Sequence, residues 1–288
     1  MYSPPFDYYR AQSVEEAGAL LEQHPGAKLL AGGHTLIPLL KLRLASPPAL
    51  IDIGRIAALK GVEAKGGVVR IGALTTHAEI AASAVVRGQC AALAEAAGHV
   101  GDPAVRNRGT IGGNVAHADP ASDLPTVLAA LGASFVITSG LGQRSVPVEQ
   151  FFTGLMATAV GEGDLLTAIE VPAPAAGQAS AYVKFEHPAS RYAVLGVAAV
   201  LTVSGGICRS AAVALGGLVP KPTRAASVER RLTGLALSDA VLDSAAADVA
   251  ADLGGDLIGD LYASAEYRKA VAPVWVKKAL AAAAGRVR

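Results

Sequence analysis

Two short glycine-rich runs are the residues best suited to holding a ligand: Ala31, Gly32, Gly33, His34, Thr35 and Thr110, Ile111, Gly112, Gly113, Asn114. Glycine lacks a Cβ and tolerates positive φ, so such a run lets backbone amides come close to an anion. One Gly-Gly pair is common in ordinary turns. Two, about eighty residues apart and each beside an apolar element, fit one elongated ligand gripped from two sides. A dinucleotide with a central pyrophosphate has that shape; a pair of tight turns without a ligand is the other reading. Neither run is a G-x-G-x-x-G after a strand, and Gly32-Gly33 is not followed by Gly-Lys-Ser/Thr, so Rossmann and P-loop sites lose support. With no phosphate-binding lysine in the pattern, amide N–H groups must hold the anion.

Other chemistry is thinly represented. His24, His77, His99, His117 and His187 show no H-x-H or H-E-x-x-H spacing, which argues against a metal site. Cys90 and Cys208 are the only cysteines, too few for an iron–sulfur cluster or a disulfide framework. Asp119 and Asp123 flank Pro120 and Ser122, a combination that reads as a turn. No residue is assigned as acid, base or nucleophile.

The elements that must position the two runs follow from patterning. Residues 13–23 read as a helix with a Ser13/Glu16 capping box, residues 28–31 as a buried strand, residues 36–44 as a helix and residues 50–53 as a strand. Strand, glycine run and helix N-terminus together make an anion-binding geometry. Residues 68–72 alternate like a strand. A Thr76/Glu79 capping box opens a helix through Ala82, and residues 89–97 are helical in character. Residues 101–123, rich in Gly, Pro and polar side chains, read as one long functional loop. A helix over 124–131 and strands over 133–138 and 165–171 precede a boundary at Pro172 and Pro174. Beyond it come strands at 181–186, 195–203 and 208–215, then helices at 224–232, 239–253 and 266–284, an α+β arrangement.

Composition limits the function classes. The chain has 288 residues, 52% hydrophobic and 17% charged, enough for substantial cores and not for disorder. A formal net charge of +1 argues against a nucleic-acid surface. The apolar stretch 194–203 is too short to span a bilayer, and no signal peptide is visible, so a soluble cytoplasmic protein is expected.

The first run continues through Leu36, Ile37 and Pro38 to Lys41, Arg43, Leu44 and Ala45; the second leads to Asp119-Pro120 and Ser122-Asp123-Leu124-Pro125. In this order and spacing they resemble the two FAD motifs of the flavoprotein (medium) subunits of molybdenum hydroxylases, those of aerobic carbon monoxide dehydrogenases above all. The resemblance covers nearly the whole chain. It implies an α+β protein: a two-subdomain FAD-binding fold of the PCMH/VAO-like type (residues 1–54 and 55–175), then a C-terminal domain (176–288) with a three-stranded sheet and a helix bundle. It implies that Ala31, Gly32, Gly33, His34, Thr35 and Leu36 flank one side of the FAD pyrophosphate, mainly through amides. Thr110, Ile111, Gly112, Gly113 and Asn114 would flank the other. His34 would act through its backbone and not as a covalent attachment point.

Four further residues match family positions. Asp123 matches an acidic residue near the ribose, or is a carboxylate in the first turn of a helix. Lys184 matches a lysine near the flavin, or is an exposed strand lysine. Tyr192 matches a ring packed on the isoalloxazine, and Leu166 an apolar cofactor contact; each is equally readable as core. One departure is that the family's Gly-Asp-Tyr pattern reads Ser190-Arg191-Tyr192, which sets a positive charge where the flavin's potential or its acceptor would feel it.

The resemblance also implies the function. The chain would be the electron-transfer subunit, taking electrons from [2Fe–2S] clusters of a small partner and passing them to quinone, O2 or NAD. Substrate would be oxidised at a molybdenum cofactor on a large partner, within a dimer of heterotrimers free in the cytoplasm or held at the inner face of the membrane. Carbon monoxide is the first substrate expected, with aldehydes and N-heterocycles of the xanthine type as alternatives. A free-standing FAD oxidase or dehydrogenase is a second reading. An assembly protein that has lost the cofactor is a third, opposed by the intact glycine runs.

Overall fold

The computed structural model describes residues 2–287. The first segment comprises β1 (Asp7–Arg10), α1 (Val14–Gln23), β2 (Lys28–Leu30), α2 (Leu36–Lys41) and β3 (Ala49–Asp52). Its three strands are parallel in the order β1-β3-β2, with Leu50 and Ile51 buried in the central strand. Ser13 caps α1 by accepting from the Glu16 amide, but the Glu16 carboxylate returns to the Gln12 amide, so the box is not fully reciprocal. The first glycine run is the turn from β2 into α2. That helix ends at Lys41 and not at residue 44, because Arg43 turns to φ 58°.

The second segment holds β4 (Val62–Lys65), β5 (Val68–Gly72), α3 (His77–Ala82), α4 (Ala84–Gln89), α5 (Ala91–His99), α6 (Pro103–Arg106), α7 (Ile111–His117) and α8 (Asp123–Leu131). It continues through β6 (Ser134–Ser139), β7 (Gly142–Pro147), α9 (Val148–Phe151), the hairpin β8 (Phe152–Gly154) and β9 (Ala157–Thr158), and β10 (Leu165–Pro172). Five strands form an antiparallel sheet in the order β4-β5-β10-β6-β7. The Thr76/Glu79 capping box is complete. The helix expected over 89–97 is α5, separated from α4 at Cys90.

The largest correction concerns residues 101–123, which are not one long loop. Asp102 caps α6, which has Pro103 at its first position, and Thr110 caps α7, so the second glycine run lies inside a helix. Two glycines cost a helix about 1 kcal/mol each relative to alanine. Tertiary anchoring offsets that cost: the Ile111 and Gly112 amides donate to the carbonyls of Thr75 and Ala73.

The C-terminal sheet is antiparallel in the order β11 (Gln178–Glu186), β12 (Ala193–Ser204), β13 (Ile207–Gly216), β14 (Thr223–Arg224). It has four strands where three were expected, the two-residue β14 being too short to show in a pattern. Residues 193–201 of β12 are buried on both faces. One face packs on α5 and α8; the other is covered by α10 (Ala226–Leu232), α11 (Asp239–Ala247) and α12 (Ala265–Ala284). The helix expected over 239–253 becomes α11 followed by a 3-10 turn, Asp248–Ala251.

Candidate cofactor cleft

A cleft of about 260 Å³ opens between the first glycine run and the segment from Val100 to Asp123, with Ser190, Arg191 and Tyr192 at its lip. Of the residues singled out in the sequence, Ala31, Gly32, Gly33, His34, Thr35, Leu36, Thr110, Gly113, Asn114, Asp123 and Tyr192 line it. Ile111, Gly112, Leu166 and Lys184 do not. Ile111 and Leu166 are core, Gly112 is pressed on Ala73, and Lys184 sits behind Asp123.

The glycines serve different ends. A Cβ on Gly32 would collide with the Arg108 carbonyl oxygen, so this glycine lets the two walls touch. Gly33 has φ 78°, which only glycine adopts freely. A Cβ on Gly112 would lie 2.6 Å from that of Ala73, whereas one on Gly113 would meet only Thr110 Oγ1 at 3.0 Å and otherwise project into open space.

The amides are just as unequal. In the second run the N–H groups of Ile111, Gly112, Gly113 and Asn114 go to Thr75 O, Ala73 O, Thr110 Oγ1 and Thr110 O. Those of Gly33, His34, Thr35 and Leu36 donate to no group among the described residues. The first run therefore has the free amides that an anion would need. The second is a shaped wall whose free function is a side chain: Asn114 donates to Ser122 Oγ at 3.0 Å, while its Oδ1 is buried without a partner.

Asp123 opens α8 yet is buried. Its Oδ1 accepts from the Tyr182 hydroxyl at 2.5 Å and its Oδ2 from Lys184 Nζ at 2.9 Å, with both charged side chains under a tenth exposed. Lys184 Nζ also donates to the His99 carbonyl. Burial pushes the Asp123 carboxyl above the usual carboxylate range, against the opposing pull of Lys184 and the Tyr182 hydroxyl. Lys184 is thus not the exposed strand lysine of the blander reading, and its charge reaches the cleft already paired.

His77 has no motif to announce it. It lines the cleft, is 3% exposed, and its Nδ1 is the only other buried side-chain N or O atom without a partner among the described residues. Burial, then the neighbouring His34 and Arg106, push its pKa down to about 4. A folded pKa below the unfolded value of 6.5 means that stability is complete above 6.5 and is lost as pH falls through about 4. The loss amounts to about 3 kcal/mol. Denaturant unfolding of the chain should show this acid loss, and His77→Phe should flatten it; an unchanged pH slope in His77→Phe contradicts the assignment.

The lip is a compact loop. His187 Nδ1 accepts from the amides of Ala189 and Ser190, the His187 carbonyl accepts from the Arg191 amide, and Arg191 adopts φ 61°. Arg191 pairs with Glu186 at 3.0 Å, and Tyr192 is about half exposed (47%) beside the cleft.

Residues 4–174 match the FAD binding domain in molybdopterin dehydrogenase, and residues 180–283 the CO dehydrogenase flavoprotein C-terminal domain. The chain belongs to the molybdopterin dehydrogenase FAD-binding family. It is 41% identical to the carbon monoxide dehydrogenase medium chain of Hydrogenophaga pseudoflava over 99% of both chains. It is 40% identical to the glyceraldehyde dehydrogenase medium chain of Sulfolobus acidocaldarius over 86% of this chain and 88% of that one. Its fold superimposes on a chain of the Hydrogenophaga pseudoflava carbon monoxide dehydrogenase that lacks the Mo-pyranopterin moiety, with a TM-score of 0.95 and 42% identity over the full length of both.

The cleft fits this family's cofactor. Four unpaired amides on one wall suit a pyrophosphate, and an unpaired buried Asn114 oxygen on the other suits a ligand donor. Gly113→Val should separate binding from folding. Its branches would fill the cleft and lower FAD occupancy at least tenfold, with stability within about 1 kcal/mol of the parent. Flavin content and unfolding of the same preparation check this; full occupancy would mean that the wall at Gly113 does not face the ligand.

Proposed function

We propose that this chain carries FAD as the electron-transfer subunit of a molybdenum hydroxylase. It takes electrons from [2Fe–2S] clusters on a small partner and passes them to an external quinone, O2 or NAD. The observation that carries this reading is the cleft with one wall of unpaired amides and one unpaired buried acceptor, in a chain similar over its full length to medium chains of such enzymes. Two buried cysteines cannot supply the four thiolates of a cluster, so the clusters belong to a partner. FAD, when bound, supplies the exchange between one-electron and two-electron transfer.

The chain's own residues bind and orient. Amides of residues 32–36 hold the pyrophosphate, with Ala31 at the turn. Thr110, Gly113 and Asn114 form the opposite wall, backed by Ile111, Gly112 and Leu166. Asp123, charge-balanced by Lys184, accepts from sugar hydroxyls, and Tyr192 covers the ring system with Arg191 beside it. We assign the oxidation to a molybdenum cofactor on a large partner and the assembly to a cytoplasmic dimer of heterotrimers. No helix among the described residues is long and apolar enough to cross a membrane.

Carbon monoxide is the substrate best supported, because the 41% identity to a carbon monoxide dehydrogenase chain runs end to end. An aldehyde is the second reading, favoured by the 40% identity to the glyceraldehyde dehydrogenase chain. The purified native complex should contain flavin, iron and molybdenum, and carbon monoxide should bleach its flavin absorbance anaerobically. Bleaching by glyceraldehyde and not by carbon monoxide would select the second reading. Flavin without iron or molybdenum would indicate a free-standing flavoprotein.

A further inference from the structure

The two residues that hold Asp123 lie in the other domain. Asp123 begins α8 within the FAD-binding domain, while Tyr182 and Lys184 belong to β11 of the C-terminal domain. Residues two apart on a strand share a face, and here that face meets the cleft-side end of α8. Tyr182 N also donates to Glu95 on α5, so β11 is seated on two helices of the neighbouring domain.

The strand opposite is shaped for the tyrosine hydroxyl. Gly196 of β12 faces it, and a Cβ there would lie 2.5 Å from Tyr182 Oη. Tyr182 is 5% exposed, and its ring would pack equally well as phenylalanine. The hydroxyl and the empty space at Gly196 therefore need a reason of their own. A carboxylate offers about four acceptor sites. Tyr182 and Lys184 take two, fixing the plane of the group and leaving acceptor capacity for a ligand in the cleft that Asp123 lines.

We propose that Tyr182 is a positioning residue: through its hydroxyl the C-terminal domain orients the Asp123 carboxylate toward the cleft, so that FAD affinity depends on how β11 is docked. The inference rests on the FAD reading above. Hydrogen bonds to a charged group contribute enough that losing one of this kind weakens binding about tenfold. The bond also favours the ionised carboxylate, so its loss moves the acid limb of FAD binding to higher pH. The other titratable groups facing Asp123 are Lys184 on β11, His99 at the end of α5, and Tyr192 at the cleft, which itself faces Asp119.

The test is FAD affinity against pH for the native complex carrying wild-type chain, Tyr182→Phe or Gly196→Ala, alongside unfolding of each flavin-free complex. Tyr182→Phe is expected to bind FAD about tenfold more weakly at neutral pH, with its acid limb raised and its flavin-free unfolding lowered only as far as one unmet carboxylate oxygen requires. Gly196→Ala, which displaces the hydroxyl without removing it, is expected to weaken FAD binding and raise the acid limb in the same way, with an added loss of stability from the crowding of the Tyr182 ring. Affinity within twofold of wild type in both variants, or a loss of stability with no movement of the acid limb, overturns the proposal. A wild-type complex that binds no FAD overturns the reading beneath it instead.

Discussion

Asp123→Ala is expected to cost about 3–5 kcal/mol of folding stability and to abolish FAD retention. The reason is what remains. Lys184 has a side chain only 2% exposed, and its one carboxylate partner would be gone, leaving a charge bonded only to the His99 carbonyl. The Tyr182 hydroxyl would lose its acceptor in the same step. Removing one member of a buried pair is far more damaging than removing both. Asp123→Ala combined with Lys184→Met should therefore recover much of the stability while FAD retention stays lost. Denaturant unfolding gives the first quantity and flavin content the second. Equal instability of the single and double variants would mean that the pair contributes nothing specific.

Gly32→Ala is the second large effect, and it acts through backbone. The added Cβ would meet the Arg108 carbonyl oxygen, with Gly109 Cα 3.0 Å away. Gly109 cannot retreat: its N–H is bonded to Val105 O, its carbonyl accepts from His77 N, and the His77 ring lies close against its Cα. Overpacking of side chains costs about 1–3 kcal/mol, and a backbone-on-backbone collision belongs at or above the top of that range. The two cleft walls should part, with FAD lost and the unfolding midpoint lowered. Gly113→Val, by contrast, should lose FAD and keep its midpoint. Identical behaviour of the two variants would refute the division of labour between the runs.

The two runs were legible in the sequence because paired glycines beside an apolar element mark places where backbone can approach a ligand or another chain segment. Their detailed roles were not. Gly32 and Gly112 are glycine because another part of the protein touches them, Arg108 in one case and Ala73 in the other, and no local pattern records such a contact. Helix α7 was hidden because Gly112 and Gly113 depress helix propensity, while the carbonyls of Ala73 and Thr75 that secure it lie far back in the chain, before α3. The capping signals at Ser13 and Thr76 are local, and those helices begin where their caps sit.

Side-chain partnerships across domains were the least accessible. Asp123 carried a first-turn reading that explained it without any partner; only the fold brings β11 across to meet it. Tyr182 reads as ordinary strand core, and His77 as a lone histidine at a helix start. The one trace of His77 in the sequence was its place directly after the Thr76 cap. Arg191, at the lip of the cleft, is held by a positive φ and by its ion pair with Glu186, neither of which a sequence pattern records.

The central claim is that this chain holds FAD between an amide cradle at residues 32–36 and a wall at Thr110, Gly113 and Asn114. Its most direct test is the flavin content of the purified native complex, wild type against Gly113→Val, measured per copy of this chain. One FAD per copy is expected in the wild type, and a depleted but folded complex in Gly113→Val. A wild-type complex without FAD, or a Gly113→Val complex with a full complement, would contradict it.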